Sequence, residues 1–250
     1  MQEPIAFVPT MGALHAGHLE LIMRARELSP RVVVSIFVNP LQFESADDLE
    51  KYPRDLAGDL LKAKGAGASE VWTPSYKDIY PGEIEKISAG ELGAKFEGKH
   101  RTGHFDGMLT VVNRLFEIIK PRYAIFGEKD YQQLFIIKKW VKESEIPVEI
   151  VSVPTVRDSQ GLALSSRNAR LSESDKKCAL IINRALQSQN YQEMREILAS
   201  EPEFLLDYAE VIDEETFELA SLRSAHKRGI VAGWINGIRL IDNLAMGVAQ

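Results

Sequence analysis

Hydrophobic and polar positions change period repeatedly along the first part of the chain. Ile5-Ala-Phe-Val8 is a short apolar run that ends at Pro9-Thr10-Met11-Gly12, which predicts a strand running into a tight turn. From His15 to Arg26 the apolar residues Leu19, Ile22 and Met23 recur at helical spacing. Arg31 to Val38 is then apolar on both faces, as a strand covered on both sides must be. The alternation continues with a helix at Asp55–Lys64 closed by Gly65-Ala-Gly67, a short strand at Glu70–Thr73, and a long amphipathic helix at Phe105–Ile119 stopped by Pro121. A strand at Tyr123–Phe126, a helix at Gln132–Ser144 and a strand at Val148–Val153 complete it. Strands that alternate with helices in this way predict an α/β fold, a doubly wound parallel sheet of Rossmann-like type, over residues 1–155.

Beyond about residue 165 the pattern changes. Helices are expected at Ser172–Gln187 and Gln192–Ala199, followed by strands at Arg228–Ile235 and Ile238–Ile241. They predict a smaller C-terminal α+β domain over residues 156–250, with Ser165-Ser166-Arg167 near the junction.

Composition narrows the function. A net charge of -6 leaves no basic footprint for nucleic acid, so a polyanion bound here is expected to be small. No apolar run reaches the roughly eighteen residues of a membrane span, and Met1-Gln-Glu-Pro4 lacks the basic start of a signal peptide. The expectation is a cytoplasmic enzyme. The single cysteine, Cys178, falls in an apolar helical pattern and reads as core.

Open α/β sheets bind ligands at the carboxyl ends of their strands, so the segments that follow the strands matter most. After the first strand comes Met11-Gly-Ala-Leu-His15-Ala-Gly17-His18, an HxGH motif at a strand-to-helix turn. Free backbone N–H groups and the positive helix end favour phosphate there, and His15 and His18 project from one side of the first turn. Asn39-Pro-Leu-Gln42 follows the second strand and offers amides suited to hydroxyl and carboxylate groups, although Asn-Pro is also a common turn. Gly127-Glu-Lys129-Asp130-Tyr-Gln-Gln133 follows the fourth strand, where Lys129 brings a mobile point charge. Gly161-Leu-Ala-Leu164-Ser165-Ser166-Arg167-Asn168 follows the fifth. Its hydroxyls and guanidinium can donate to phosphate oxygens, and Ser172 is the better candidate for the next helix cap.

Together these segments resemble the pantothenate synthetase family, the pantoate-beta-alanine ligases. Tyr52-Pro-Arg54, Glu97-Gly98, Arg101-Thr-Gly-His104-Phe, Thr110-Val-Val112 and Arg239-Leu-Ile-Asp-Asn243 extend the resemblance over nearly the whole chain, and the serine-arginine loop is similar to the KMSKS loop of class I aminoacyl-tRNA synthetases. The resemblance implies that ATP and Mg2+ activate pantoate as pantoyl-adenylate with loss of pyrophosphate, and that beta-alanine then displaces AMP. It implies His15, His18, Lys129 and Arg167 as catalytic residues. For ATP it implies Met11, Gly12, Ala13, Leu14, His15, Ala16, Gly17 and His18, then Gly127, Glu128, Lys129, Asp130, Val156, Leu164, Ser165, Ser166 and Arg167. Gln42, Gln133, Asn39, Tyr52, Arg101 and His104 are implied for pantoate and beta-alanine, Asp59 for the metal, and a homodimer for the assembly. Against the family pattern the chain starts directly at the first strand and has an abbreviated C-terminal domain, which predicts a less stable dimer. Asp106 and Gly58 also depart from it, Gly58 near the magnesium position. An adenylyltransferase with the same HxGH turn and a non-catalytic ATP-binding module are the competing readings; a tRNA synthetase is disfavoured by the acidic charge.

Overall fold

The computed structural model describes residues 3–43 and 49–247. They form two compact units: one comprises the described residues up to 127 with 132–154, the other 128–131 with the described residues from 155 on. Beside the boundary near residue 155, the segment Glu128–Tyr131 groups with the second unit.

The first unit is built on a five-stranded sheet in the order β3-β2-β1-β4-β5, with β1 at Ile5–Thr10, β2 at Arg31–Ile36, β3 at Glu70–Trp72, β4 at Tyr123–Gly127 and β5 at Glu149–Val153. Every pairing is parallel. β1 lies in the middle, with Val8 beside Val34 of β2 and Phe7 beside Ala124 of β4. The inner residues of β1 and β2 are buried on both faces, which explains their continuous apolar runs. Strand order reverses between β1 and β4, so the crevice for a ligand opens beyond the ends of those two strands.

Helices α1 (Ala16–Leu28), α2 (Leu56–Gly65), α3 (Tyr76–Ile79), α4 (Glu97–His100), α5 (His104–Ile119) and α6 (Tyr131–Glu143) complete the succession. α5 buries Phe105, Leu109, Val112 and Phe116 along one stripe and ends at Lys120, which adopts a left-handed conformation just before Pro121. Truncating a residue such as Leu109, 1% exposed, to alanine should cost about 2–5 kcal/mol.

The second unit carries α7 (Glu173–Gln187) and α8 (Tyr191–Ala199) with an antiparallel sheet β6-β7-β8, where β6 is Leu205–Asp213, β7 is Lys227–Ile235 and β8 is Ile238–Met246. Ser172 caps α7 in a reciprocal capping box with Asp175. β7 and β8 are joined by Asn236-Gly237, both at positive φ, the chemistry of a tight hairpin. Cys178, 7% exposed, belongs to this unit's core with Ile182, Leu186 and Met194. No helix among the described residues is long and apolar enough to cross a membrane.

Candidate active site

The turn between β1 and α1 is assembled from the inside. Gly12 (φ +84°) and Ala13 (φ +52°) both adopt left-handed backbone. A Cβ on Gly12 would also come within 3.0 Å of the Asp59 carboxylate, so only glycine fits. Ala13 is held in its strained conformation because its N–H donates to Asp59 Oδ2 at 2.8 Å and the next N–H, of Leu14, donates to Oδ1 at 2.7 Å. Lys62 Nζ closes the other side by donating to the Leu14 carbonyl at 2.9 Å.

His15 is the N-cap of α1. Its Nδ1 accepts from the Gly17 N–H at 3.2 Å, and the Nδ1 of His18 accepts in return from the His15 N–H at 3.3 Å. A nitrogen that accepts from a backbone N–H carries no proton, so in each neutral ring the proton sits on Nε2. The rings lie with centroids 4.2 Å apart. Two Nε2–H donors thus stand at a helix N-terminus, an arrangement suited to an anion.

Asp59, expected from the sequence at the metal, is 1% exposed, and each of its oxygens accepts one backbone N–H, so it braces the turn between β1 and α1.

The turn after β2 is braced in the same way. Asn39 is fully buried: its amide donates to Gln42 Oε1 and to the Gly107 carbonyl, each at 3.0 Å, and accepts from Tyr80 Oη at 3.0 Å and from the Leu41 N–H at 3.3 Å. It has nothing left for a ligand and acts as an internal brace. α5 comes close enough to serve it because Gly107 has no Cβ; one there would lie 2.0 Å from the Leu41 carbonyl. Burial pushes the Tyr80 hydroxyl well above its usual range, with neighbouring Tyr76 adding to the shift, so it stays a donor to Asn39.

His104, 6% exposed, sits with its Nδ1 2.9 Å from the Gln42 carbonyl, which makes that nitrogen the donor. Its Nε2 then accepts from Arg101 Nη1 at 3.0 Å, while Arg101 Nη2 approaches the same carbonyl at 3.4 Å. His104 and Arg101 therefore hold Gln42 in place. Tyr52 packs edge-on against Phe43 with ring centroids 5.6 Å apart.

Two neighbouring glutamines on α6 divide their roles. Gln132 is buried and donates to the Leu92 and Lys95 carbonyls at 2.9 and 2.8 Å while accepting from the Glu97 N–H at 3.1 Å. Gln133 is half-buried, and its amide makes no hydrogen bond among the described residues.

In the second unit, Lys129 lies in the 3-10 turn Glu128–Asp130, with Nζ 3.5 Å from Asp130 Oδ1. It lines a small cleft together with Ser165, Arg167, Asn168, Arg239 and Asp242. Val156 and Leu164 face each other across a short hairpin, Leu164 N–H donating to the Val156 carbonyl at 2.9 Å, with the bend at Gly161 (φ +100°). The hairpin delivers Ser165 to the cleft. Ser165 is itself a cap of the 3-10 turn Ser166–Arg170, its Oγ accepting from the Arg167 N–H at 3.3 Å, so that oxygen is less free than the sequence suggests. Sequence reasoning missed Gln132 and Tyr80, and left Asn243 without a role.

A doubly wound parallel sheet with an HxGH turn at its switch point defines an α/β enzyme class that handles nucleotides. Residues 1–245 match the pantoate-beta-alanine ligase family, and the chain belongs to that family of acid-amine ligases. It is 46% identical to the pantothenate synthetase of Thermus thermophilus over 97% of this chain and 93% of that one. It is 44% identical to that of Acidothermus cellulolyticus over 99% of this chain and 87% of that one. A crystal structure of the Thermus thermophilus enzyme superposes with a TM-score of 0.93, covering 98% of this chain and 94% of that one at 44% identity. A Francisella tularensis pantoate-beta-alanine ligase, complexed with beta-gamma ATP and beta-alanine, gives a TM-score of 0.83 at 39% identity, covering 99% of this chain and 91% of that one.

Proposed function

We propose that the chain condenses pantoate with beta-alanine at the expense of ATP, in two half-reactions. A pantoate carboxylate oxygen attacks the α-phosphorus of ATP, pyrophosphate leaves, and pantoyl-adenylate forms. The beta-alanine amine then attacks the acyl carbon, loses a proton, and expels AMP. The observation that carries this reading is the reciprocal capping of His15 and His18, which holds both Nδ1 atoms to the backbone and commits both Nε2–H groups as donors.

The protein's work in such a reaction is alignment and charge stabilisation. His15, His18, Lys129 and Arg167 are assigned to the ATP phosphates, with Ser165 and Ser166 as further donors. Gln42, fixed through its carbonyl, and Gln133, with an uncommitted amide, suit pantoate, whose hydroxyls both give and receive hydrogen bonds. Because both Asp59 oxygens already accept a backbone N–H, Mg2+ is assigned to the nucleotide's phosphates as part of the substrate and not to a resident protein site. By family likeness two copies are expected to pair through the first unit, which sedimentation tests.

The decisive assay measures AMP released from ATP and pantoate with and without beta-alanine, and pantoate-dependent exchange of labelled pyrophosphate into ATP. Exchange without beta-alanine supports the adenylate; absence of exchange together with a dinucleotide product would make the chain an adenylyltransferase.

A further inference from the structure

Asn243 of β8 lies in the Arg239-Leu-Ile-Asp-Asn243 segment, to which the proposed reaction gives no task. It is 3% exposed and every polar group it has is used. Its Nδ2 donates to the carbonyl of Glu128 at 2.8 Å and to that of Lys129 at 3.0 Å. Its Oδ1 accepts from Arg228 Nη1 at 2.6 Å, and its own N–H donates to Asp242 Oδ1 at 2.8 Å. The orientation is forced, because a flipped amide would set Nδ2 against a guanidinium, donor against donor.

The two carbonyls are those of the peptide groups on either side of the Lys129 Cα. One side chain therefore pins both planes that define the Lys129 backbone, and with them the direction of its Cα–Cβ bond. The Lys129 ammonium ends a flexible four-carbon stem, so its position is only as definite as the root of that stem. Arg228 reinforces the hold. Its Nη1 also pairs with Glu128 Oε2 at 3.2 Å, its Nε with Glu214 Oε1 at 2.6 Å, and its guanidinium lies 3.9 Å from the centre of the Tyr131 ring. Behind it Asp242 grips Arg157 through two bonds, at 2.6 and 2.9 Å, and Arg157 donates to the Gly161 carbonyl at 3.1 Å, at the bend of the hairpin that carries Ser165.

We propose that Asn243 is the positioning residue of Lys129, aiming its ammonium at the nucleotide by clamping the two flanking peptide groups. This rests on the assignment of Lys129 to the ATP phosphates. The test is a double-mutant cycle on pantoate-dependent pyrophosphate exchange, using the full chain with Asn243→Asp, Asn243→Ala, Lys129→Ala and the combined variants. Asn243→Asp keeps an acceptor for Arg228 but turns lone pairs on the two carbonyls. In the Lys129 background it should slow exchange by about 100-fold, the scale of a small misplacement of a reacting group. In the Lys129→Ala background the same change should alter the rate by no more than about twofold, since nothing remains to be aimed. Equal losses in both backgrounds would make Asn243 a merely structural residue and overturn the proposal, as would a wild-type rate in the single variant. Wild-type exchange in Lys129→Ala alone overturns instead the phosphate assignment beneath it. Should neither Asn243 variant fold, the cycle is run with Arg228→Lys, which loses the guanidinium fork that orients the amide, under the same criteria.

Discussion

His15 and His18 cap each other: each ring receives a backbone N–H at the start of α1, and the two rings lie 4.2 Å apart. Removing either therefore takes away a bond that shapes the turn, and, on the proposed reading, a donor to the nucleotide as well.

His18→Ala is expected to reduce turnover in the adenylating half-reaction by roughly 100-fold or more, the usual effect of losing one preorganised donor, while ATP affinity falls far less. Single-turnover kinetics with a separate nucleotide titration distinguishes the two. Near-normal turnover would remove His18 from the chemistry.

Asp59→Asn should act on the turn and not on the metal. An amide nitrogen must then face one of two backbone N–H groups, at a cost of about 1–3 kcal/mol for the buried donor left unpaired. Thermal unfolding should show that loss, and turnover should drop with it, while the magnesium concentration giving half-maximal rate stays unchanged. A large shift in that concentration would return Asp59 to the metal.

Gln133→Ala should raise the Michaelis constant for pantoate with little change for beta-alanine or for stability, because Gln133 holds nothing within the described residues. Gln132→Ala should do the reverse. It strands two carbonyls and an N–H, and is expected to lose about 1–3 kcal/mol or more in a denaturant titration. Steady-state kinetics on the pair checks the division; equal effects on both substrates would end the pantoate assignment of Gln133.

Arg167→Ala should slow pyrophosphate exchange strongly, and Arg167→Lys should restore only part of the rate, because a point charge does not reproduce a planar fork of donors. Full rescue by lysine would mean that charge alone suffices.

Cys178 should be inert. Burial, helped by the nearby Glu201 and Glu203 carboxylates, pushes its thiol up to about 11, so it stays protonated throughout the neutral range. Iodoacetamide at pH 8 should label the denatured chain quickly and the native one slowly, with activity retained. Rapid loss of native thiol would contradict the burial.

The parallel sheet is readable in the sequence because β1, β2, β4 and β5 are apolar runs separated by helical spacing, a signal carried within each element. β6 is not: Leu205-Leu-Asp-Tyr-Ala-Glu-Val-Ile-Asp213 mixes acids with apolar residues at no clean period, and pairing with β7 decides its state. The HxGH turn is legible for the same local reason as the sheet. Asp59 bracing Ala13, Asn39 meeting Gly107, and Asn243 reaching Lys129 span separations of 46, 68 and 114 residues, which no window of sequence displays. Sequence therefore marks the residues that carry donors better than those that hold them still.

The four residues Glu128–Tyr131 leave β4 to join the second unit, and α6 then returns to the first. No single scission of the backbone therefore separates the two units. A fragment beginning at residue 156 would keep Asn243 and Arg228, with Glu214 still paired to Arg228, but would lack the Glu128 and Lys129 carbonyls, the Glu128 carboxylate and the Tyr131 ring, leaving the buried Asn243 amide without its two acceptors. Grafting, truncation and split-protein reassembly of this ligase must therefore carry residues 128–131 along with the C-terminal piece, as a second, separately encoded strip of chain.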